Sequence, residues 1–203
     1  MLSVYRSGLF WRVAPLAALS QGGFLAFQTL WAGPWLRDIA GLDPRAVSFT
    51  LLAGAAGFVI GNLVVGLIAE RLMRRNIPPL VTAAGGMALF ILVQLLILFE
   101  WTAAPAFLWA IFGATGTTGV VIFAVLARMF PSELAGRAST AQNLLIFGAA
   151  FALQWGMGEV INIWPVAAHG TYAVVGYRAA IGLVIAFQVL AFAWMLIYRP
   201  RQS

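Results

Sequence analysis

The chain contains no cysteine and no lysine, and it has few charged residues of any kind. The absence of cysteine excludes disulfides, thiolate metal sites and a cysteine nucleophile. Charged residues make up 9% of the 203 residues, whereas a soluble domain carries about 25%. Because 63% of the residues are hydrophobic, the polar side chains are too few to cover a water-facing surface. The surface is therefore expected to face lipid.

Six stretches of the sequence carry no charge, and each is roughly as long as a helix that crosses a bilayer. A barrel strand would need about half this length, so helices are favoured over strands. A soluble bundle of buried helices is the alternative, but six uninterrupted apolar runs argue against it. The sequence thus predicts an all-α polytopic membrane protein in which residues 1–203 form a single transmembrane domain. The six predicted helices are 10–36, 46–70, 77–99, 103–129, 134–161 and 177–198.

The arginines occur in short clusters between the apolar runs. If the runs cross the membrane in turn, nine of the twelve arginines fall on one side. These nine are Arg6, Arg12, Arg71, Arg74, Arg75, Arg128, Arg137, Arg199 and Arg201. The positive-inside rule then places both termini in the cytoplasm and the protein in the plasma or bacterial inner membrane. The net charge of +6 forms no single basic face, so membrane lipid is the expected partner and nucleic acid is not.

Three segments resemble the major facilitator superfamily of secondary transporters, and one of them, residues 29–38, looks like the end of the seventh helix in bacterial members. The stretch Gly66-Leu-Ile-Ala-Glu-Arg-Leu-Met-Arg-Arg75 is similar to that family's loop signature Gly-x-Leu-Ala-Asp-Arg-x-Gly-Arg-Arg. Here Glu70 replaces the Asp, and Met73 replaces the second Gly. The third segment, 130–143, resembles the cytoplasmic turn that leads into the fifth helix of each half.

The family fold has twelve helices in two halves, with the substrate bound between them. The resemblance implies that this chain is one half, and the degenerate signature favours the C-terminal half. The implied function is that of a secondary active transporter, or half of one, moving a small solute by alternating access. A second six-helix half or a homodimer would complete the cavity. A truncated or non-transporting membrane subunit is the alternative.

Uncharged polar residues inside the predicted helices are the candidates for a substrate cavity. The resemblance implies that the first, second, fourth and fifth helices line that cavity. The candidates are Gln21, Gln28, Asn62, Thr115, Asn143 and Gln154. The alternative is that these groups form hydrogen bonds between helices and hold the bundle together. Gln94 and Gln188 lie on the third and sixth helices and are interpreted as structural.

A gating role is implied for the loop signature. Its residues here are Gly66, Glu70, Arg71, Arg74 and Arg75, with Arg137 as a partner from the start of the fifth helix. We expect Glu70 to pair with Arg137 or with that helix start, since a carboxylate is stabilised at a helix N-terminus. The alternative is that the arginines only set orientation and bind anionic headgroups.

Little in the sequence suggests catalysis. The only histidine, His169, falls in a predicted loop, and no pair of carboxylates occurs at membrane depth. Glu159 is a candidate for coupling transport to protons, with an ordinary interfacial carboxylate as the alternative. The sequence therefore predicts no enzyme, no catalytic residues, no metal and no cofactor.

Overall fold

The computed structural model describes residues 2–166 and 170–198, and within these ranges it contains helices and no strand. A short helix α1 (Leu2–Tyr5) precedes a long helical stretch, the first long helix, which covers residues 8–38. This stretch consists of α2 (Gly8–Ala26), a π-helical segment (Phe27–Trp31) and α3 (Ala32–Asp38). The helices that follow are α4 (Pro44–Arg74), α5 (Pro79–Leu98), α6 (Pro105–Gly116), a 3₁₀ segment (Thr117–Val120), α7 (Val121–Met129), α8 (Ser132–Ile161) and α9 (Val174–Ile197).

Local sequence sets where these helices begin and end. The carboxylate of Asp43 accepts hydrogen bonds from the backbone N–H groups of Arg45 (2.8 Å) and Ala46 (3.1 Å), which caps the N-terminus of α4. Proline occupies the first position of α4, α5 and α6, where its missing N–H costs nothing. Asn76 and Glu100 follow α4 and α5 with φ of 59° and 58°, the left-handed conformation that ends many helices.

Among the described residues, five helices are long and apolar enough to cross a membrane. They are Pro44–Arg74, Pro79–Leu98, Pro105–Met129, Ser132–Ile161 and Val174–Ile197. The predicted count of six is not matched, and the difference lies in the first long helix. There the π-helical segment interrupts the α-helix, and α2 carries Arg12, Ser20 and Gln21 among its apolar residues.

The predicted helix bounds differ from those in the structure by four residues or fewer, and the largest difference is at the end of α4, which extends to Arg74. The loop before the last helix is shorter than expected, because α9 begins at Val174 and the sequence predicted 177. His169 in this loop lies outside the described residues. Arg199 and Arg201 at the C-terminus do so too.

The long helices pack in pairs, and glycines allow the closest approach. The first long helix packs along α8, and α4 packs along α6. A Cβ atom at Gly61 would lie 2.5 Å from the Cα of Ala114, and one at Gly57 would overlap the backbone of Ala110. Small residues thus bring α4 and α6 into backbone contact, as they do between membrane helices in general.

Two hydrophobic clusters fill the core, one towards each end of the bundle. The first includes Phe10, Met87, Leu126 and Met195 and lies near the arginine clusters. We call this the arginine-rich end; its described arginines are Arg6, Arg12, Arg71, Arg74, Arg75, Arg128 and Arg137. The second cluster includes Trp31, Trp35, Ile97, Trp109 and Tyr177 and lies at the opposite end.

Candidate functional site

The first long helix carries three polar residues along an incompletely covered face. Gln21 and Gln28 are half-buried, and Thr29 is exposed. Gln28 and Thr29 lie within the π-helical segment, a geometry that occurs frequently at functional sites. The extra residue in a π turn rotates the positions after it relative to a regular α-helix. Within this segment Gln28 lies next to α4, and Thr29 lies next to α8.

Gln21 and Gln28 border α4 and the fourth helical stretch, Pro105–Met129, which consists of α6, the 3₁₀ segment and α7. A Cβ atom at Gly119 would lie 2.5 Å from the Cγ of Gln21, so this glycine makes room for the glutamine. The Nε2 of Gln28 would lie 3.3 Å from a Cβ at Gly54. The Oε1 of Gln28 is buried and has no hydrogen-bond partner among the described residues. A buried unpaired carbonyl is costly and is available to a ligand or a water molecule.

The other border of this face is α8. The Nε2 of Gln154 donates a hydrogen bond to the hydroxyl of Thr29 (3.2 Å), and the Nε1 of Trp31 donates to the carbonyl of Gln154 (3.1 Å). Asn143 is exposed about three helical turns earlier, on nearly the same side of α8 as Gln154. We call Gln21, Gln28, Thr29, Asn143 and Gln154 the polar strip.

Two other cavity candidates are satisfied within their own helices. The Nδ2 of Asn62 donates to the carbonyl of Phe58 (2.9 Å), and the Thr115 hydroxyl donates to the carbonyl of Ile111 (2.8 Å). Asn62 lines a separate cavity of about 190 Å³ between α4 and the fourth helical stretch. The structure therefore does not place Asn62 or Thr115 with the polar strip.

Glu159 is exposed near the end of α8. The surface of α8 before it is mainly aromatic, with Phe151 75% exposed and Trp155 65% exposed. Glu159 forms no ion pair with another described residue. Its placement fits contact with water at the opposite end of the bundle.

The loop signature forms a local ion pair. The Oε1 of Glu70 lies 2.7 Å from an Nη2 atom of Arg74, one turn later in the same helix. Arg137 is exposed, and the expected Glu70–Arg137 pair is not formed between the described residues. The signature nevertheless contacts the fourth helical stretch, because Arg128 lies 3.2 Å from the sulfur of Met73.

Sequence analysis missed a polar cluster at the opposite end. The side chain of Asp38 is fully buried, and its Oδ1 lies 2.6 Å from the Nε of Arg37. Its Oδ2 accepts hydrogen bonds from the hydroxyl of Tyr177 (2.9 Å) and the backbone N–H of Tyr172 (3.1 Å). Beside it, Arg178 forms an ion pair with Glu100 (2.6 Å). The signal in the sequence was the scarcity of acidic residues, because each of the few carboxylates in an apolar chain is expected to have a polar or basic partner.

Buried amides join three helices deep in the bundle. The Nε2 of Gln94 donates to the Oε1 of Gln188 (2.7 Å), and the Nε2 of Gln188 also reaches the carbonyl of Leu19 (3.3 Å). The pair links α5 and α9 to the first long helix. In the part of the chain that the structure describes, no three His, Asp or Glu side chains form a metal-binding group.

Comparison with known proteins gives a partial match. No protein-family model matches the chain. Over 135 residues the chain is 37% identical to the transcription regulatory protein OpdE of Pseudomonas aeruginosa. The matched region covers 66% of this chain but only 30% of the length of that relative. The chain is thus similar to a limited part of a much longer protein.

Proposed function

We propose that the chain is one six-helix half of a secondary active transporter of the major facilitator type, which moves a small solute by alternating access. In this proposal the first long helix also crosses the membrane, since it is helical throughout residues 8–38, and this brings the number of crossings to six. The arginine-rich end, and with it both termini, faces the cytoplasm of a plasma or bacterial inner membrane.

The polar strip is the observation that carries the proposal. A polar side chain that faces hydrocarbon without a partner is costly, so such groups usually face a cavity or another protein. Asn143 is exposed, and the Oε1 of Gln28 lacks a partner among the described residues. Thr29 is also exposed, although its hydroxyl donates to the carbonyl of Leu25 (2.6 Å) and accepts from Gln154. A water-filled cavity shared with a second half or a second copy would hydrate these groups.

Cysteine labelling tests this proposal directly, because the natural chain contains no cysteine. The variants Thr29→Cys and Asn143→Cys would be made in membrane vesicles and treated with a water-soluble maleimide. The control is Phe187→Cys, since Phe187 is 40% exposed on α9 and is followed by Gln188, whose contact with Leu19 places it between the levels of Asn143 and Thr29 along the bundle. We expect labelling of both strip variants and not of the control. Protection of all three positions would place the strip in lipid and contradict the cavity.

Transport itself needs a separate measurement. The purified chain would be placed in liposomes and screened for uptake of small solutes, while chemical crosslinking reports its oligomeric state. Uptake by the chain alone requires a dimer that completes the cavity. Uptake by a preparation that crosslinks only as monomers would contradict the half-transporter arrangement.

The name of the relative favours a second candidate, a non-transporting membrane subunit with a regulatory role. The matched protein is described as a transcription regulatory protein. A chain of this kind would use the polar strip to bind a solute or a partner without moving it across the membrane. Deleting the chain from its host would then change transcript levels while solute uptake stays constant. The transporter proposal predicts that uptake falls while transcript levels stay constant.

A further inference from the structure

An apolar groove runs along the outer surface between α4, α5 and the fourth helical stretch. It has a volume of about 500 Å³, and its lining is almost entirely aliphatic. On α4 it extends from Ile60 to Leu72, which corresponds to about 18 Å of helix. This length is close to half of a hydrocarbon core about 30 Å thick, the depth of one lipid leaflet.

The groove continues into a basic cavity at the arginine-rich end. This second cavity is lined by Ile68, Leu72 and the arginines 71, 74 and 75. Ile68 and Leu72 also line the apolar groove, so the two spaces adjoin. Arg74 pairs with Glu70, whereas neither Arg71 nor Arg75 forms an ion pair within residues 2–166 and 170–198.

Thr82 lines the groove close to this junction, and its hydroxyl lies beneath the groove surface. The hydroxyl of Thr82, in the first turn of α5, is buried and has no hydrogen-bond partner among the described residues. Farther along the groove, a side chain added at Gly85 would meet nothing within 4 Å. The groove therefore combines a long apolar slot, a hydrogen-bond donor near its entrance and unpaired cations beyond it.

We propose that this groove is a binding site for one anionic phospholipid. The phosphate lies between Arg71 and Arg75, an ester oxygen accepts a hydrogen bond from Thr82, and one acyl chain fills the slot past Gly85. Guanidinium groups are positively charged and bind phosphate through paired hydrogen bonds, so a phosphate matches Arg71 and Arg75 in both charge and geometry. The site requires a membrane location but not transport, so it goes beyond the proposed function.

Native mass spectrometry of the full-length chain in detergent provides the test. The probes are phosphatidylglycerol, phosphatidylcholine with the same acyl chains, and inorganic phosphate. The chain should retain phosphatidylglycerol in preference to phosphatidylcholine and should not retain inorganic phosphate. Equal retention of the two lipids, or phosphate binding of similar strength, would overturn the proposal.

Matched variants separate this site from general surface charge. Arg71→Gln combined with Arg75→Gln should weaken phosphatidylglycerol binding about thirtyfold, since each arginine near an anionic headgroup changes affinity about fivefold. The control Arg6→Gln with Arg137→Gln removes the same charge from the same end and should have little effect. Equal losses in the two double variants would show diffuse attraction and no site.

The slot is tested by filling it. Gly85→Leu should abolish selective retention of phosphatidylglycerol, while Gly148→Leu, at another open helical position outside the groove, should not. Circular dichroism and a single size-exclusion peak check that both variants fold. Unchanged lipid retention by Gly85→Leu would place the acyl chain elsewhere. A dimer that Gly85→Leu disrupts without any lipid loss would identify a second copy as the occupant, and the lipid proposal would fail.

Discussion

The hydroxyl of Tyr177 donates a hydrogen bond to the Oδ2 of Asp38 across 2.9 Å, joining the start of α9 to the end of the first long helix. Tyr177 is 1% exposed, and the Asp38 side chain is fully buried. The same Oδ2 also accepts the backbone N–H of Tyr172. One carboxylate thus holds three parts of the opposite end: the last turn of the first long helix, the loop before α9, and α9 itself.

Asp38→Asn should destabilise the bundle by about 1.5–3 kcal/mol, because hydrogen bonds to a charged group contribute more than neutral ones. Tyr177→Phe removes one hydrogen bond to this carboxylate and should cost about 1.5 kcal/mol, the low end of that range, because the Oδ2 keeps the backbone N–H of Tyr172. Thermal unfolding in detergent, followed by circular dichroism, gives both values. The double variant should lose less than the sum of the two, since both substitutions break the same bond. Strict additivity would show that the two side chains act independently.

Glu133→Gln is the control for this pair, because Glu133 is exposed at the start of α8 and its carboxylate accepts a hydrogen bond from the neighbouring Ser132 hydroxyl. Its melting temperature should stay close to that of the natural chain. A loss as large as that of Asp38→Asn would indicate a general effect of net charge.

Gly57→Ala should weaken the contact between α4 and α6. A Cβ atom at Gly57 would overlap the backbone of Ala110, and backbone atoms cannot move aside as a flexible side chain does. Overpacking of this kind costs about 1–3 kcal/mol. Gly148→Ala is the matched control, since nothing lies within 4 Å of its added Cβ and alanine favours the helix. Equal unfolding temperatures for the two variants would argue against close helix contact at Gly57.

The Gln94–Gln188 pair predicts a reversal between single and double variants. Gln188→Leu leaves the amide of Gln94 buried without its partner, and pairs of this kind in membrane proteins contribute about 0.6–1.7 kcal/mol. Replacing both glutamines by leucine removes the unpaired group and restores an apolar contact. The double variant should therefore unfold at a higher temperature than Gln188→Leu. A double variant less stable than the single would show that the amides have a further role, such as binding water.

Helix positions were accessible from the sequence, because long charge-free runs and the prolines at positions 44, 79 and 105 mark helix cores and starts directly. In α4 the sequence also has glycines at positions 54, 57 and 61, and small residues at such spacing indicate close packing between membrane helices. The π-helical segment was not predictable, since Phe27–Trp31 carries no local signal that separates π from α geometry. The side-chain pairing of Asp38 with Tyr177 depends on residues 139 positions apart and needs the tertiary fold. Glu70 pairs with Arg74 and not with Arg137, because a neighbour one turn away in the same helix is reached with little loss of entropy.

The proposed orientation makes a prediction that the cysteine-free chain can test without interference. Asn76 follows α4 at the arginine-rich end, and Arg45 lies in the first turn of α4 at the opposite end; both are exposed. In intact bacterial cells, a membrane-impermeant maleimide should label Arg45→Cys and leave Asn76→Cys unlabelled until the cells are broken open. The reason is the positive-inside rule, which holds short arginine-rich links on the cytoplasmic face. Labelling of Asn76→Cys in intact cells would invert the topology. It would also place the phospholipid groove in the outer leaflet of the same membrane, so this experiment decides in which leaflet the lipid-retention results are to be interpreted.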